Sequence, residues 1–341
     1  MLYFMSDYTE GAHPKVLQHL VQENMSHLPG YGEDPQTMAA KEKICRACGR
    51  EDLQVGFLVG GTQTNQTAIS TLLRPWEGVI AVDSGHINVH EAGAIEYSGH
   101  RVIALEAHEG KLKAEVLEKY MEAFHADETK EHLVQPGMVY ISHPTELGTL
   151  YSKAELEALS ACCHSYGLDL YMDGARLGYG LVSPGSDLEL SDIARLCDLF
   201  YIGGTKVGAL CGEALVYTRG NMPPHFTAAI KQHGALLAKM RLVSQQFDAL
   251  FTDDLYFEIS RHAVQLALKI KKAAVEKGYE LLIDSPTNQQ FVIFTREQAE
   301  KLRSQVACEL WQPMPDGRQA LRFVTSWATD PADVDELIEL L

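Results

Sequence analysis

Short apolar runs alternate with helical periodicity through the middle of the chain. VGFLVG (55–60), GVIAVD (78–83), RVIAL (101–105), MVYIS (138–142), LDLYMD (168–173), LFYIGG (199–204) and EALVY (213–217) are nearly continuous in apolar character. Such runs predict strands covered on both faces. Between them the spacing predicts helices over Gln63–Leu73, Ile87–Ile95 and Ala114–Phe124, and a further one opening at Ser152. Ser152 and Glu155 have the capping-box spacing, in which the Ser hydroxyl takes a free N–H and the Glu reaches back. Leu156, Leu159 and Cys163 then share one face, and Gly167 suits a left-handed helix end. This alternation implies an α/β fold, a mostly parallel sheet with helices on both faces. Ligands of such sheets bind at the C-terminal ends of the strands.

Beyond residue 220 the pattern changes. Pro223 and Pro224 interrupt the chain, and long helices are predicted over Leu236–Phe251 and Tyr256–Lys277, the latter closed by Gly278. FVIFT (291–295), a helix over Glu297–Cys308, LRFVT (321–325) and a last helix over Ala332–Leu341 form a second α/β segment. We read a large domain over 1–230, with an N-terminal arm over 1–30, and a smaller C-terminal domain over 231–341.

Bulk composition narrows the classes. The 341 residues are 46% hydrophobic, in the globular range, and carry a net charge of −17. That balance argues against nucleic acid or an anionic membrane as partner, because both call for clustered Lys and Arg. The opening MLYFMSDYTEG has no basic and apolar leader pattern, and no apolar stretch reaches membrane-spanning length, so a cytoplasmic protein is expected. The seven cysteines are odd in number and scattered, unlike a disulfide framework. Cys45 and Cys48 form C-x-x-C without a second pair or histidines to complete a zinc site, and are read as inert thiols.

Candidate chemistry lies at the strand ends. Gly60-Gly61-Thr62 follows one strand and opens a helix whose free N–H groups and dipole suit a phosphate. Neither G-x-G-x-x-G nor G-x-x-x-x-G-K-[ST] is present. Asp173 ends another strand, with Arg176 three residues on, and Lys206 follows two glycines after a third. Singly these read equally well as a tight turn, an N-cap and a solvated lysine. Together they supply what pyridoxal phosphate needs: a phosphate anchor, an acid for the pyridine nitrogen and an amine for an imine.

The sequence resembles the fold-type I, pyridoxal-phosphate-dependent low-specificity L-threonine aldolases of the β-eliminating lyase superfamily. The resemblance runs from SDYTEG (6–11) through YGEDP (31–35), GGTQTN (60–65), SGHINVHEAGAIEYSGH (84–100), MDGARL (172–177) and IGGTKVGALCGEALV (202–216) to LRFVTSW (321–327). It implies a seven-stranded sheet and pyridoxal 5'-phosphate as cofactor. In that scheme Lys206 forms the Schiff base, Asp173 pairs with the pyridinium nitrogen, and Gly61, Thr62 and Thr205 hold the phosphate. His86 stacks on the ring, and Ser6, Arg176 and Arg322 bind the substrate carboxylate. Tyr31 reaches the site of a neighbouring subunit in a homodimer or homotetramer with sites at the dimer interface. The family often has a second histidine that contacts the β-hydroxyl. Here Glu146, in HPTELGT (143–149), stands in its place, with His143 able to substitute only if the strand register differs.

The reaction implied is retro-aldol cleavage of β-hydroxy-α-amino acids to glycine and an aldehyde, with Glu146, His86 or a water as base. Glu146 keeps open β-elimination to a keto acid and ammonia. A nucleotide-binding oxidoreductase and a non-catalytic binding protein are more remote readings.

Overall fold

The computed structural model describes residues 1–341. In chain order its strands are Leu2–Tyr3 (β1), Gln54–Leu58 (β2), Glu77–Val82 (β3), Val102–Leu105 (β4), Gln135–Ser142 (β5), Asp169–Asp173 (β6), Leu199–Gly203 (β7), Glu213–Tyr217 (β8), Glu280–Leu281 (β9), Gln289–Phe294 (β10), Val306–Ala307 (β11), Glu309–Pro313 (β12) and Gln319–Val324 (β13). Seven form one sheet in the order β2-β8-β7-β6-β5-β3-β4. Only β8 runs against the rest, pairing antiparallel with both β2 and β7. The architecture is the α/β class expected from the alternation, with a mainly parallel sheet.

The continuous apolar runs have a simple cause. Successive side chains point to opposite faces. Phe57, Ile80, Ile141, Met172, Phe200 and Val216 enter the larger core, whereas Leu58, Val79, Tyr140, Tyr171, Tyr201 and Tyr217 enter a second core on the other face. With both faces covered, neither parity can be polar. The tyrosines of the second core stand two residues before the last residue of β5, β6 and β7, so their hydroxyls approach the ligand end of the sheet.

A second sheet of order β12-β13-β10-β9 packs its own core, which includes Leu266, Ile270, Phe294 and Phe323. Helix Leu255–Glu276 spans both: Tyr256, Ile259 and Val264 join the large core, and Leu266, Ile270 and Ala274 join the small one. The chain's start belongs with this second core, through Leu2 and Phe4. No helix is long and apolar enough to cross a membrane.

Three helices depart from the periodicity. The one expected over Ile87–Ile95 is two single turns, His86–Val89 and Ala94–Tyr97. Ala92 and Gly93 between them have φ of +51° and +73°, which no helix accommodates. The one expected over Leu236–Phe251 begins only at Arg241, because the Ala238 carbonyl accepts instead from the Tyr31 amide at 2.9 Å. The helix expected to reach Cys308 stops at Arg303, and Val306–Ala307 pairs in parallel with Leu2–Tyr3. The last two departures come from partners distant in sequence.

Candidate active site

The strand ends form one cavity. His86, Glu146, Asp173, Arg176, Thr205 and Lys206 all line it, together with Gly61 at the start of helix Gly61–Leu72. DGAR and GGTK have a common cause in backbone approach. A Cβ on Gly174 would lie 2.0 Å from the Tyr201 carbonyl oxygen, and one on Gly203 would lie 2.3 Å from that of Ala175. The Gly203 amide donates to the Gly174 carbonyl at 2.9 Å. Only glycine lets these two turns touch, and the touch sets Asp173 and Lys206 over one cavity.

Asp173 is buried and hydrogen-bonded at both oxygens. Its Oδ2 accepts from Tyr140 Oη at 2.6 Å and Asn65 Nδ2 at 3.0 Å, and its Oδ1 from the Ala175 amide at 3.0 Å. Burial pushes its carboxyl up, but His86, the hydroxyls of Tyr140 and Tyr201 and the Ala175 amide outweigh it and hold it below the usual range. It is not a helix cap, since helix Leu177–Val182 is preceded by Arg176. Asn65 also donates to Glu91 Oε1 at 2.7 Å and accepts from Tyr171 Oη at 2.7 Å. The same Glu91 oxygen lies 2.8 Å from His86 Nδ1. A chain of polar contacts thus links His86, Glu91, Asn65 and Asp173.

The Lys206 amine is in the cavity wall, and the side-chain hydrogen bond at this residue goes to its carbonyl, from Tyr179 Oη at 2.6 Å. Burial, then the neighbouring Arg176, pushes the amine below its ordinary value, against the pull of Asp7, Asp173 and Glu213. Beneath it Glu213 accepts from the Gly204 amide at 3.0 Å and from Thr205 Oγ1 at 2.8 Å. Burial raises the Glu213 carboxyl. Thr205 lines the cavity, yet its proton goes to Glu213, and its oxygen accepts from the Gly212 amide at 3.0 Å.

Glu146 lies in the cavity wall. One oxygen accepts from the His86 amide at 2.9 Å and from Ser142 Oγ at 2.7 Å. The other, Oε2, is buried without a partner, and burial raises the carboxyl. His143 is fully buried outside the cavity wall, and burial lowers its imidazole to about 4. The register is therefore the one that aims Glu146, not His143, at the cavity.

The carboxylate-binding candidates divide. Arg176 lines the cavity and donates through Nε and Nη2 to Asp7 at 2.7 and 2.9 Å. Arg322 lies outside the wall, within electrostatic reach of Arg176, and is paired with Glu309. Ser6 is buried next to Asp7 and does not line the cavity. Thr62 is exposed at the helix start. Tyr31 is 51% exposed, with the Lys231 amine over its ring, away from the cavity of its own chain.

Sequence reasoning missed Asp7, Asn65, Glu91, Tyr140, Tyr171, Tyr201, Ser142 and Glu213. The tyrosines carried a readable signal in their common offset from the strand ends. Asn65 and Glu91 had none, because their importance lies in contacts across 26 positions. Cys45 and Cys48 are buried at the end of helix Pro35–Ala47, and burial pushes the Cys48 thiol up to about 12, as expected of inert thiols.

The residues fit pyridoxal phosphate on structural grounds. A deprotonatable buried amine, an ionised acid and a helix N-terminus meet in one cavity, and two wall carboxyls, Glu91 and Glu146, each keep an oxygen without a partner. Gly61 leaves the cradle open, since a Cβ there would lie 3.2 Å from Tyr201 Oη. This fold and this constellation define a pyridoxal-phosphate-dependent enzyme of fold type I. The family described as beta-eliminating lyase matches residues 4–309, and the chain belongs to that family. The low specificity L-threonine aldolase of Pseudomonas sp. (strain NCIMB 10558) is 30% identical over 340 residues, 98% of this chain and 95% of that protein. The solved threonine aldolase of Leishmania major is 42% identical, with a TM-score of 0.96 over 100% of this chain and 98% of that one. Aspartate aminotransferase from Thermus thermophilus, at 15% identity and a TM-score of 0.70 over 100% and 90%, shares the fold.

Proposed function

We propose that the protein is a pyridoxal-phosphate-dependent aldehyde-lyase. It cleaves L-threonine, L-allo-threonine and related β-hydroxy-α-amino acids to glycine and an aldehyde. The observation that carries this reading is the convergence of Lys206, Asp173 and the buried, half-unpaired Glu146 on one cavity, in a chain 42% identical to a threonine aldolase over its whole length.

When bound, the cofactor supplies an electron sink for the pair released by Cα–Cβ cleavage. The chain does the rest. Lys206 holds the cofactor through its amine, whose lowered affinity for a proton favours the nucleophilic form. Asp173, kept ionised, would accept the N–H of a protonated pyridine nitrogen. Gly61 and Thr62 offer backbone N–H groups to the phosphate, and Thr205 contributes by shaping the turn. His86, oriented by Glu91, would hold the ring by its imidazole face. Arg176, in the cavity wall, binds the substrate carboxylate and so orients the scissile bond, joined by Arg322 within its electrostatic reach. Glu146 Oε2 takes the β-hydroxyl proton, for which a raised carboxyl is better matched than an ordinary one.

The active sites lie at the interface of a homodimer or homotetramer. Tyr31 supports this, being exposed and remote from its own cavity. Light scattering of the purified protein tests the assembly.

The decisive experiment incubates holoenzyme with L-threonine, L-allo-threonine, phenylserine and L-serine, with separate readouts for glycine, aldehyde, keto acid and ammonia. Aldehyde and glycine in equal amounts are expected from the β-hydroxy amino acids. Keto acid and ammonia without glycine would instead establish β-elimination. Borohydride should fix the cofactor on Lys206, and K206A should lose both the visible imine band and turnover.

A further inference from the structure

The two arginines assigned to the substrate carboxylate each already hold an internal carboxylate, and they hold it differently. Asp7 has no exposed side-chain surface and accepts two bonds from Arg176 and one from Asn288 Nδ2, at 2.9 Å. Drawing it away would strand a buried guanidinium and a buried carboxylate, which is costly. Glu309 has 40% of its side chain exposed and contacts Arg322 Nη2 through one oxygen. It stands on β12, the edge of the four-stranded sheet, directly opposite Arg322 on β13. A carboxylate with solvent at hand can leave at little cost, because water replaces the lost partner.

Arg322 does not depend on Glu309 for its place. Its guanidinium carbon sits 5.0 Å over the Trp311 ring, and Nη1 donates to Gln289 Oε1 at 3.0 Å. Its Nε is buried without an acceptor. So the group is stacked and anchored, with one donor idle and another on an exchangeable partner. Arg176 and Arg322 also repel each other, since Arg176 helps burial to depress Arg322. An anion received between them relieves that repulsion.

We infer that Glu309 is a stand-in for the substrate's α-carboxylate. It neutralises Arg322 in the free enzyme and gives way to solvent when an amino acid binds, and thereby sets amino-acid affinity. The inference rests on the reading of Arg322 as a carboxylate-binding residue. Glu309 also acts on specificity. Displaced but tethered on β12, directly opposite Arg322 on β13, it remains a negative charge beside that arginine. Amino acids with an acidic side chain are disfavoured by it more than neutral ones.

The test measures binding of glycine and of L-aspartate to holoenzyme through the visible absorbance of the cofactor, in wild type, E309Q, R322Q and the double variant. E309Q should lower the Kd for glycine about two- to five-fold and that for L-aspartate by more, with kcat moving less than KM. R322Q should raise the glycine Kd at least about ten-fold, and E309Q should have no effect in that background. R322M, which likewise removes the charge, serves the same purpose should R322Q not fold. If Arg322 replacement weakens glycine but E309Q does not tighten it, the role of Glu309 is refuted and the Arg322 reading stands. If replacing Arg322 leaves glycine binding unchanged, the Arg322 reading falls and the inference with it.

Discussion

His86 Nδ1 lies 2.8 Å from Glu91 Oε1, and Glu91 has no exposed side-chain surface. A buried carboxylate in that place accepts the Nδ1 proton and leaves Nε2 free, as in other carboxylate–histidine pairs. The same oxygen holds Asn65, which in turn holds Asp173. Glu91 therefore positions His86 directly and Asp173 through Asn65, the two residues proposed to contact the cofactor ring. Replacing it with Gln keeps an acceptor oxygen but removes the negative charge that favours a proton on His86 Nδ1. We expect E91Q to lower kcat/KM about 10- to 100-fold and to shift the pH dependence of the imine band, the second effect separating positioning from loss of fold.

Glu146 should control the acid limb of the cleavage reaction. Burial raises its carboxyl, so the ionised base is lost at a higher pH than an ordinary glutamate would lose it. Activity then falls as pH drops through that raised value. E146Q should lower kcat by about 10²–10⁴-fold while keeping the imine band. E146H should restore part of the activity with the acid limb moved toward the histidine range. Steady-state kinetics from pH 5 to 9 checks both, and full activity in E146Q would exclude Glu146 as the base.

Gly174 permits the contact between the DGAR and GGTK turns. An added methyl would meet the Tyr201 carbonyl at 2.0 Å, backbone that cannot yield without moving β7. G174A should cost at least about 3 kcal/mol in urea unfolding of the holoenzyme and loosen the cofactor. Unchanged stability would mean the turns do not need this approach.

His143 makes the protein acid-sensitive. Its imidazole is at about 4 in the fold against an ordinary 6.5, because burial favours the neutral form. A base with a lowered folded value stabilises above its unfolded value, and that contribution is lost as pH falls through 6.5 toward 4. Between pH 7.5 and 5 the loss is about 2 kcal/mol. H143N keeps an acceptor for the Tyr151 amide and should show a correspondingly smaller loss in unfolding measurements at the two pH values.

Much of this protein is legible without coordinates. The strands of the main sheet are continuous apolar runs because both faces are covered, and the helix caps at Ser152 and Gly167 are local chemistry: the capping box forms and Gly167 adopts φ +71°. Lys206, Asp173 and Arg176 were legible because they sit at fixed offsets from strands that announce themselves. The tertiary structure decided what depends on contacts between distant segments. Such contacts end the helices early at Arg303 and delay the one at Arg241, and they commit Thr205 to Glu213 and Arg176 to Asp7. They also aim Glu146 rather than His143 at the cavity. The physical reason is that periodicity and capping act within a few residues, whereas a buried polar group must be satisfied by whichever partner the fold brings near, and one sequence does not rank those partners.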